Sequence, residues 1–200
     1  MIMEKMWNQR YNTKEYVYGR DPNVFFARSL GPLTPGKILL PGEGEGRNAA
    51  YAASLGWEVD AFDQSSVGAE KAERLAREMG VKIKYSVSGL HDFPFEAGVY
   101  DAIALIYFHA PAPVRQQLHQ RVLEALKPGG LVILEAFHTT QLGRDSGGPQ
   151  ALELLFNKEI LLEDFGSLEL EMLEETEVDL NEGLFHGGPA NIVRFRGIKR

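Results

Sequence analysis

The sequence predicts an α/β fold: a mostly parallel seven-stranded sheet with helices on both faces and an antiparallel strand pair towards the C-terminus. Three observations carry this. Apolar strand-like runs alternate with helix-forming stretches over residues 37–137, the pattern of consecutive βα units. The first run leads through three glycines on alternate positions, Gly42, Gly44 and Gly46, straight into a helix. Beyond residue 137 the alternation gives way to two long strand-like stretches joined by a Gly-rich connection.

The elements follow in order. Residues 7–30 are rich in aromatics and broken at Gly19-Arg20-Asp21-Pro22-Asn23, with Asn23 placed to cap a helix through Leu30. Ile38-Leu39-Leu40 forms the first strand, which Pro41 stops. After the glycines, residues 49–55 are good helix formers, and Gly56 ends them. Residues 57–62 alternate as a second strand with Asp63 at its end. A helix over 64–79 starts near Ser65 or Ser66 and stops at Gly80. A third strand spans 81–87. The fourth, 100–108, is almost wholly apolar, as for a strand buried on both faces. A helix over 114–126 and the turn Lys127-Pro128-Gly129-Gly130 lead to a fifth strand, 131–137. A polar loop, a helix over 150–163 and strands 168–180 and 190–198 complete the expectation.

Composition narrows the class. Two hundred residues suit one domain, 1–200, with an N-terminal segment (1–30), a cofactor-binding core (37–137) and a C-terminal, substrate-side region (138–200). Zero cysteines exclude disulfides, thiolate metal sites and a thiol nucleophile. No apolar run reaches membrane-spanning length and no signal-peptide pattern opens the chain, so the cytoplasm is the expected compartment. Residues 151–182 hold eleven acids against Lys158 alone, which argues against a nucleic-acid surface there.

The glycine stretch carries the chemistry. Glycines let the backbone turn sharply and a ligand approach it closely. The helix they open presents unpaired N–H groups, which favour a carboxylate or phosphate. Asp63, at the end of strand two, is placed to accept hydrogen bonds from ribose hydroxyls. A dinucleotide fingerprint needs G-x-G-x-x-G, but the last glycine position is Arg47, and Glu43 and Glu45 repel a pyrophosphate. A ribose-containing cofactor without phosphates, bearing an ammonium and a carboxylate, fits better. S-adenosyl-L-methionine is that molecule.

Through Gly42-Glu43-Gly44-Glu45-Gly46, Asp63, Tyr100-Asp101 and Leu126-Lys127-Pro128-Gly129-Gly130, the chain resembles class I S-adenosylmethionine-dependent methyltransferases nearly end to end. WNQRYNTKEYVYGRDPN and EGEGRNAAYAASLGWEVDAFDQSSVG look like the tellurite-resistance-type branch, which is distantly similar to thiopurine methyltransferases. The resemblance implies a Rossmann-like fold and methyl transfer to a small-molecule or soft-anion acceptor (tellurite, selenite or a thiol), with S-adenosyl-L-homocysteine as product. Gly42, Glu43, Gly44, Gly46, Asn48, Asp63, Gln64, Ser88, Gly89 and Leu90 are the expected cofactor-binding residues. The family's acid two positions before the first glycine is Leu40 here, and Glu43 or Glu45 is a stand-in.

His109 after strand four, His138 after strand five and His186 before the last strand are the acceptor-side candidates. The branch favours His186, although its arginine neighbour is Gly187 here, with Arg194 and Arg196 as substitutes. Exposed loop histidines usually have no role, and Asp101 reads as structural. Tyr16, Tyr18 and Arg20 either close over the cofactor as a lid or pack permanently on the outside. No metal is expected. The expected partners are a small-molecule substrate and neither nucleic acid nor membrane, with a monomer or homodimer. The competing function is a non-catalytic S-adenosylmethionine-binding regulator or partner subunit. A nicotinamide oxidoreductase is disfavoured by Arg47.

Overall fold

Residues 2–200 are described in this computed structural model, and they form two compact units. One contains the chain up to Pro94 together with Glu182–Phe185; the other contains Phe95–Asn181 and His186–Arg200.

The first unit begins with α1 (Ile2–Tyr11) and α2 (Val24–Leu30). Asn23 caps α2 as expected, its side chain accepting from the Phe26 N–H. Strands β1 (Lys37–Pro41), β2 (Glu58–Asp63) and β3 (Lys84–Val87) are parallel, in the order β3-β2-β1. Helices α3 (Arg47–Ser54) and α4 (Ser66–Glu78) make the crossovers. Ser65 caps α4 by accepting from Gly68 N. Ile38, Leu39 and Leu40 are buried, as are Ala49, Ala50 and Ala52 of α3, so small helix residues lie close to an apolar sheet. The turn before α3 packs as closely on α4: a Cβ at Gly46 would stand 2.4 Å from the Ala72 Cβ, and the Gly46 φ of +86° is left-handed.

The second unit pairs β4 (Tyr100–Ile106) with β5 (Leu126–Phe137) in parallel. Then β7 (Gly187–Ile198) pairs antiparallel with β5, and β6 (Glu169–Asn181) antiparallel with β7, giving β4-β5-β7-β6. The turn expected at 127–130 is a bulge within β5: Leu126 faces Tyr100, and the next pair is Leu131 with Ala102. Helix α5 (Ala112–Ala125) follows β4.

The helix expected over 150–163 is shorter and later. Residues Leu152–Leu154 form a 3-10 turn, and α6 runs Lys158–Phe165. Asn157 explains the late start: its side chain accepts from Ile160 N, an N-cap that outweighs the helix-forming composition before it. Arg115, His119 and Asp164 join α5 to α6, with the Asp164 carboxylate accepting from Arg115 Nε and His119 Nδ1 at 2.7 Å each.

Candidate functional site

In the first unit, the expected cofactor residues gather around the turn after β1. Gly42, Gly44 and Gly46 all have positive φ, +64°, +64° and +86°, so the turn is one that glycine alone adopts without strain. Asp63 closes it from the end of β2: one carboxylate oxygen accepts from Gly44 N (3.1 Å), the other from Ser65 N (2.8 Å). Burial pushes its carboxyl up, against the pull of amides from Ser65, Gly44 and Gln64. A carboxylate has about four acceptor positions, so three amides leave room for a ribose hydroxyl.

Next to it, Ser88 N donates to Asp63 O (2.9 Å), the Ser88 hydroxyl to Gly89 O, and Gly89 O accepts from Asp92 N and Phe93 N. Leu90 and Phe93 are buried, and Phe93 stacks on Phe62 at 4.2 Å. The 88–93 loop is thereby tied to the strand that carries Asp63.

Two expectations change. The start of α3 does not present free amides to a ligand, because Glu43 Oε1 accepts from both Asn48 N and Ala49 N at 2.8 Å. The chain's own carboxylate occupies the helix end. Burial raises the Glu43 carboxyl to about 7, although Ala49 N, Arg47 and Asn48 all act to lower it. Likewise the Asn48 side chain holds the segment before α2, its Oδ1 accepting from Asn23 N (2.9 Å). Glu45 also turns inward: Oε1 pairs with Lys71 Nζ (2.6 Å), and Oε2 accepts from Val17 N (2.7 Å).

The N-terminal segment covers this turn by residues the sequence did not single out. Tyr11 of α1 is buried against Gly44, where a Cβ would lie 2.6 Å from the Tyr11 hydroxyl. Tyr85 of β3 donates to Gly44 O (2.7 Å), and Asn8 Oδ1 accepts from the Ser65 hydroxyl (2.6 Å). Of the expected lid residues, Tyr16 donates to Lys71 O, Arg20 pairs with Glu78, and Tyr18 meets Tyr11 edge-on and Phe185 at a tilt. Tyr16 and Arg20 therefore lie along α4, and Tyr18 lies among the aromatics of α1 and Phe185. Glu182 ties the same segment down by accepting from Arg47 and from the Asn23 amide.

The three histidines lie in the second unit in different settings. His186 is buried, 4.7 Å from the Tyr107 ring and 5.1 Å from Phe137, edge-on to both. The 138–150 loop braces the adjoining chain: Gly187 N donates to Ser146 O, and the Ser146 hydroxyl to Pro189 O. His109 has both nitrogens engaged, Nδ1 with Leu154 O (2.7 Å) and Nε2 accepting from Phe137 N (3.4 Å). Burial lowers its pKa to about 4, so it is a neutral fastener. His138 caps a 3-10 turn through Thr140 N, and its Nε2 stands 3.3 Å from Glu175. With Thr140, Thr176, Glu177, Asn191 and Ile192 these two line a cavity of about 220 Å³.

Tyr107, just past β4, is the one non-glycine residue with left-handed φ (+53°) among the described residues. Its hydroxyl donates to Glu135 (2.9 Å), which also accepts from Arg194 Nε (2.6 Å). Arg194 is thus committed to a buried carboxylate, and Arg196 pairs with Glu171. The signal for this group was Glu135, a lone acid in the apolar run LVILEAF. Asp101 pairs with Lys127, the structural role read from its position.

Residues 38–130 match the family model of a methyltransferase domain. Phosphoethanolamine N-methyltransferase 2 of Caenorhabditis elegans is 31% identical over 122 residues, 60% of this chain and 28% of that protein. A ubiquinone biosynthesis O-methyltransferase of Rickettsia conorii is 26% identical over 69% of this chain and 51% of its own length. The chain thus spans about a quarter to a half of the curated relatives it matches. Among solved structures, TehB from Haemophilus influenzae superposes with a TM-score of 0.74 at 17% identity, covering 98% of this chain and 67% of that one. Phosphoethanolamine N-methyltransferase 2 of Haemonchus contortus, solved with S-adenosyl-L-methionine, gives 0.68 at 18% identity over 97% of this chain and 56% of that one. Over residues 38–130 the chain therefore matches the methyltransferase domain, and its seven strands and flanking helices have the Rossmann-like fold of class I methyltransferases.

Proposed function

We propose that this chain binds S-adenosyl-L-methionine in its first unit and catalyses methyl transfer to a small-molecule or soft-anion acceptor, releasing S-adenosyl-L-homocysteine. The observation that carries the reading is the glycine turn at 42–46 fastened to Asp63 at the end of β2, inside the stretch that matches a methyltransferase domain. Asp63 holds the ribose, and the 88–90 loop flanks the adenine. The bound cofactor supplies a methyl group already activated on sulfonium. The protein then has to align the acceptor and exclude water, effects worth roughly 7–11 kcal/mol in favourable cases.

On the acceptor side His186 is the base, needed when the acceptor carries a proton that must leave. Its ring is fixed between Tyr107 and Phe137, whereas His109 has no nitrogen to spare. Tyr107 is held in a strained backbone by its bond to Glu135, a feature common where side chains are aimed at a task. The acceptor class, thiol-like, tellurite or the phospho-amine suggested by the relatives, is what a screen decides.

The test is formation of S-adenosylhomocysteine from S-adenosylmethionine with tellurite, selenite, thiols, thiopurines and phosphoethanolamine. Turnover that falls about 100-fold or more in His186→Ala supports the reading. Cofactor binding with no turnover on any acceptor favours the non-catalytic binding protein instead.

A further inference from the structure

We infer that Arg10 and the turn carrying Leu184 and Phe185 form the subsite that selects the acceptor, and that the acceptor they fit is an organic anion with an apolar body; this rests on the methyl-transfer reading above. Arg10 is a cation that lacks an acid. Arg47 takes Glu182 and Arg20 takes Glu78, whereas Arg10 has no carboxylate partner among the described residues. Its guanidinium stands over the Trp7 ring at 5.1 Å and over the Phe185 ring at 4.9 Å, and donates to the Tyr18 hydroxyl (3.0 Å). A guanidinium has five N–H donors, and among the described residues Arg10 commits one. Aromatic rings hold such a group by its face and leave the N–H edge for a planar anion.

The cation adjoins the turn proposed to hold the cofactor. Trp7 stacks on Tyr11 at 5.4 Å, and Tyr18 meets Tyr11 edge-on. Tyr11 in turn covers Gly44. The rings of Tyr11, Trp7 and Tyr18 thus separate Arg10 from the glycine turn, and the three are packed together.

Apolar surface continues outward from Arg10. Met3, Met6, Trp7 and Arg10 follow the spacing of one helix face, and Met3 and Met6 are 49% and 40% exposed. Leu184 and Phe185 are 72% and 48% exposed. They are not a loose tip. Leu184 N donates to Val17 O (2.8 Å), and a Cβ on Gly183 would stand 2.4 Å from that same oxygen. Covering Arg10 takes Phe185 alone, yet a fixed backbone also holds Leu184 out in water, the setting of a side chain that meets a ligand. A bare oxyanion would leave Met3, Met6 and Leu184 in water, and a neutral apolar ligand would leave Arg10 unmatched. An anion with an apolar body satisfies both.

The probes are 4-phenylbutyrate, its neutral amide 4-phenylbutyramide, and selenite, an anion with no apolar body. Each is titrated into the intact chain saturated with S-adenosylhomocysteine. Calorimetry measures the affinity, and Trp7 emission locates the site in Trp57→Phe, where Trp7 is the sole tryptophan. The expected result is binding of 4-phenylbutyrate with a change in Trp7 emission, and affinities for the amide and selenite lower by about tenfold or more. Arg10→Gln should lose about tenfold for 4-phenylbutyrate and Leu184→Ser about threefold, with S-adenosylhomocysteine affinity unchanged in both. Equal binding of the amide or of selenite, no binding of 4-phenylbutyrate, or full affinity in Arg10→Gln overturns the assignment. Self-association abolished by Leu184→Ser would make the patch a contact between copies of the chain and overturns it too. If wild type does not bind S-adenosylhomocysteine, the cofactor reading fails and this inference with it. Circular dichroism and melting of both variants separate a lost contact from a lost fold.

Discussion

Asp63 and Glu43 are both acids at the same turn, yet their hydrogen bonds give them different work. Asp63 ties Gly44 to β2, so Asp63→Ala removes a ribose acceptor and strands buried amides, which cost about 1–3 kcal/mol each. We expect at least a tenfold loss in S-adenosylhomocysteine affinity by calorimetry, together with a lower melting temperature. Asp63→Asn, which keeps one acceptor oxygen, should recover part of the stability; unchanged affinity in both variants removes Asp63 from the site. His109 gives a pH prediction. Its folded pKa of about 4 lies below the unfolded value near 6.5, so the unfolded chain binds the extra proton in between. Its contribution is intact above pH 6.5 and is lost as pH falls towards 4. Nitrogen-detected titration should find this ring neutral at pH 5.5; protonation near 6.5 would show that it is not buried as described. The place of Asp63 was legible in the sequence because strand, glycines and acid stand at fixed spacing. The Glu43 cap, the Tyr11 cover and the left-handed Tyr107 were not, because each depends on side chains brought together from distant elements.

At the scale of elements, the glycine turn and the N-terminal segment explain each other. Gly44 was expected to be bare so that a ligand can approach; the structure gives a nearer reason in the Tyr11 hydroxyl. Gly44→Ala should therefore lower the melting temperature, and adding Tyr11→Phe should return part of the loss. The recovery is partial because the φ of +64° still disfavours alanine. No recovery in the double variant would place the cost wholly in the backbone. The same segment is pinned by the buried Lys71–Glu45 pair, to which Val17, Tyr18, Glu15 and Thr13 all bond. Removing one partner leaves a buried charge, so Lys71→Ala should destabilise by about 3–5 kcal/mol in denaturant unfolding. Hydrogen exchange over residues 13–20, with and without S-adenosylhomocysteine, then decides between lid and fixed cover: protection gained on binding means a lid, equal protection means a cover. Sequence pattern found every strand and the order of the helices from α2 onward, since period and glycine stops are local, but it placed no helix at Ile2–Tyr11. It missed the late start of α6 because the Asn157 cap was weighed less than the helix-forming run before it.

For the whole molecule, the order of βα units followed by an antiparallel pair was readable from hydrophobic period alone, and it separated this fold from the six parallel strands of dinucleotide-binding proteins. The acceptor side proposed above was not readable, because Tyr107, Glu135 and the stretch carrying His186 and Arg194 come together only on folding. The acidic 151–182 stretch lies largely on exposed β6 and the end of α6, with Glu171, Glu174 and Glu175 paired to Arg196, Arg194 and Lys158. The central claim is that the glycine turn and Asp63 bind a phosphate-free nucleoside cofactor. Calorimetric titration of the intact chain with S-adenosylhomocysteine, beside an identical titration with NAD, tests it most directly. We predict saturable one-to-one binding of the first and no measurable heat from the second; binding of NAD, or none of S-adenosylhomocysteine, contradicts the account.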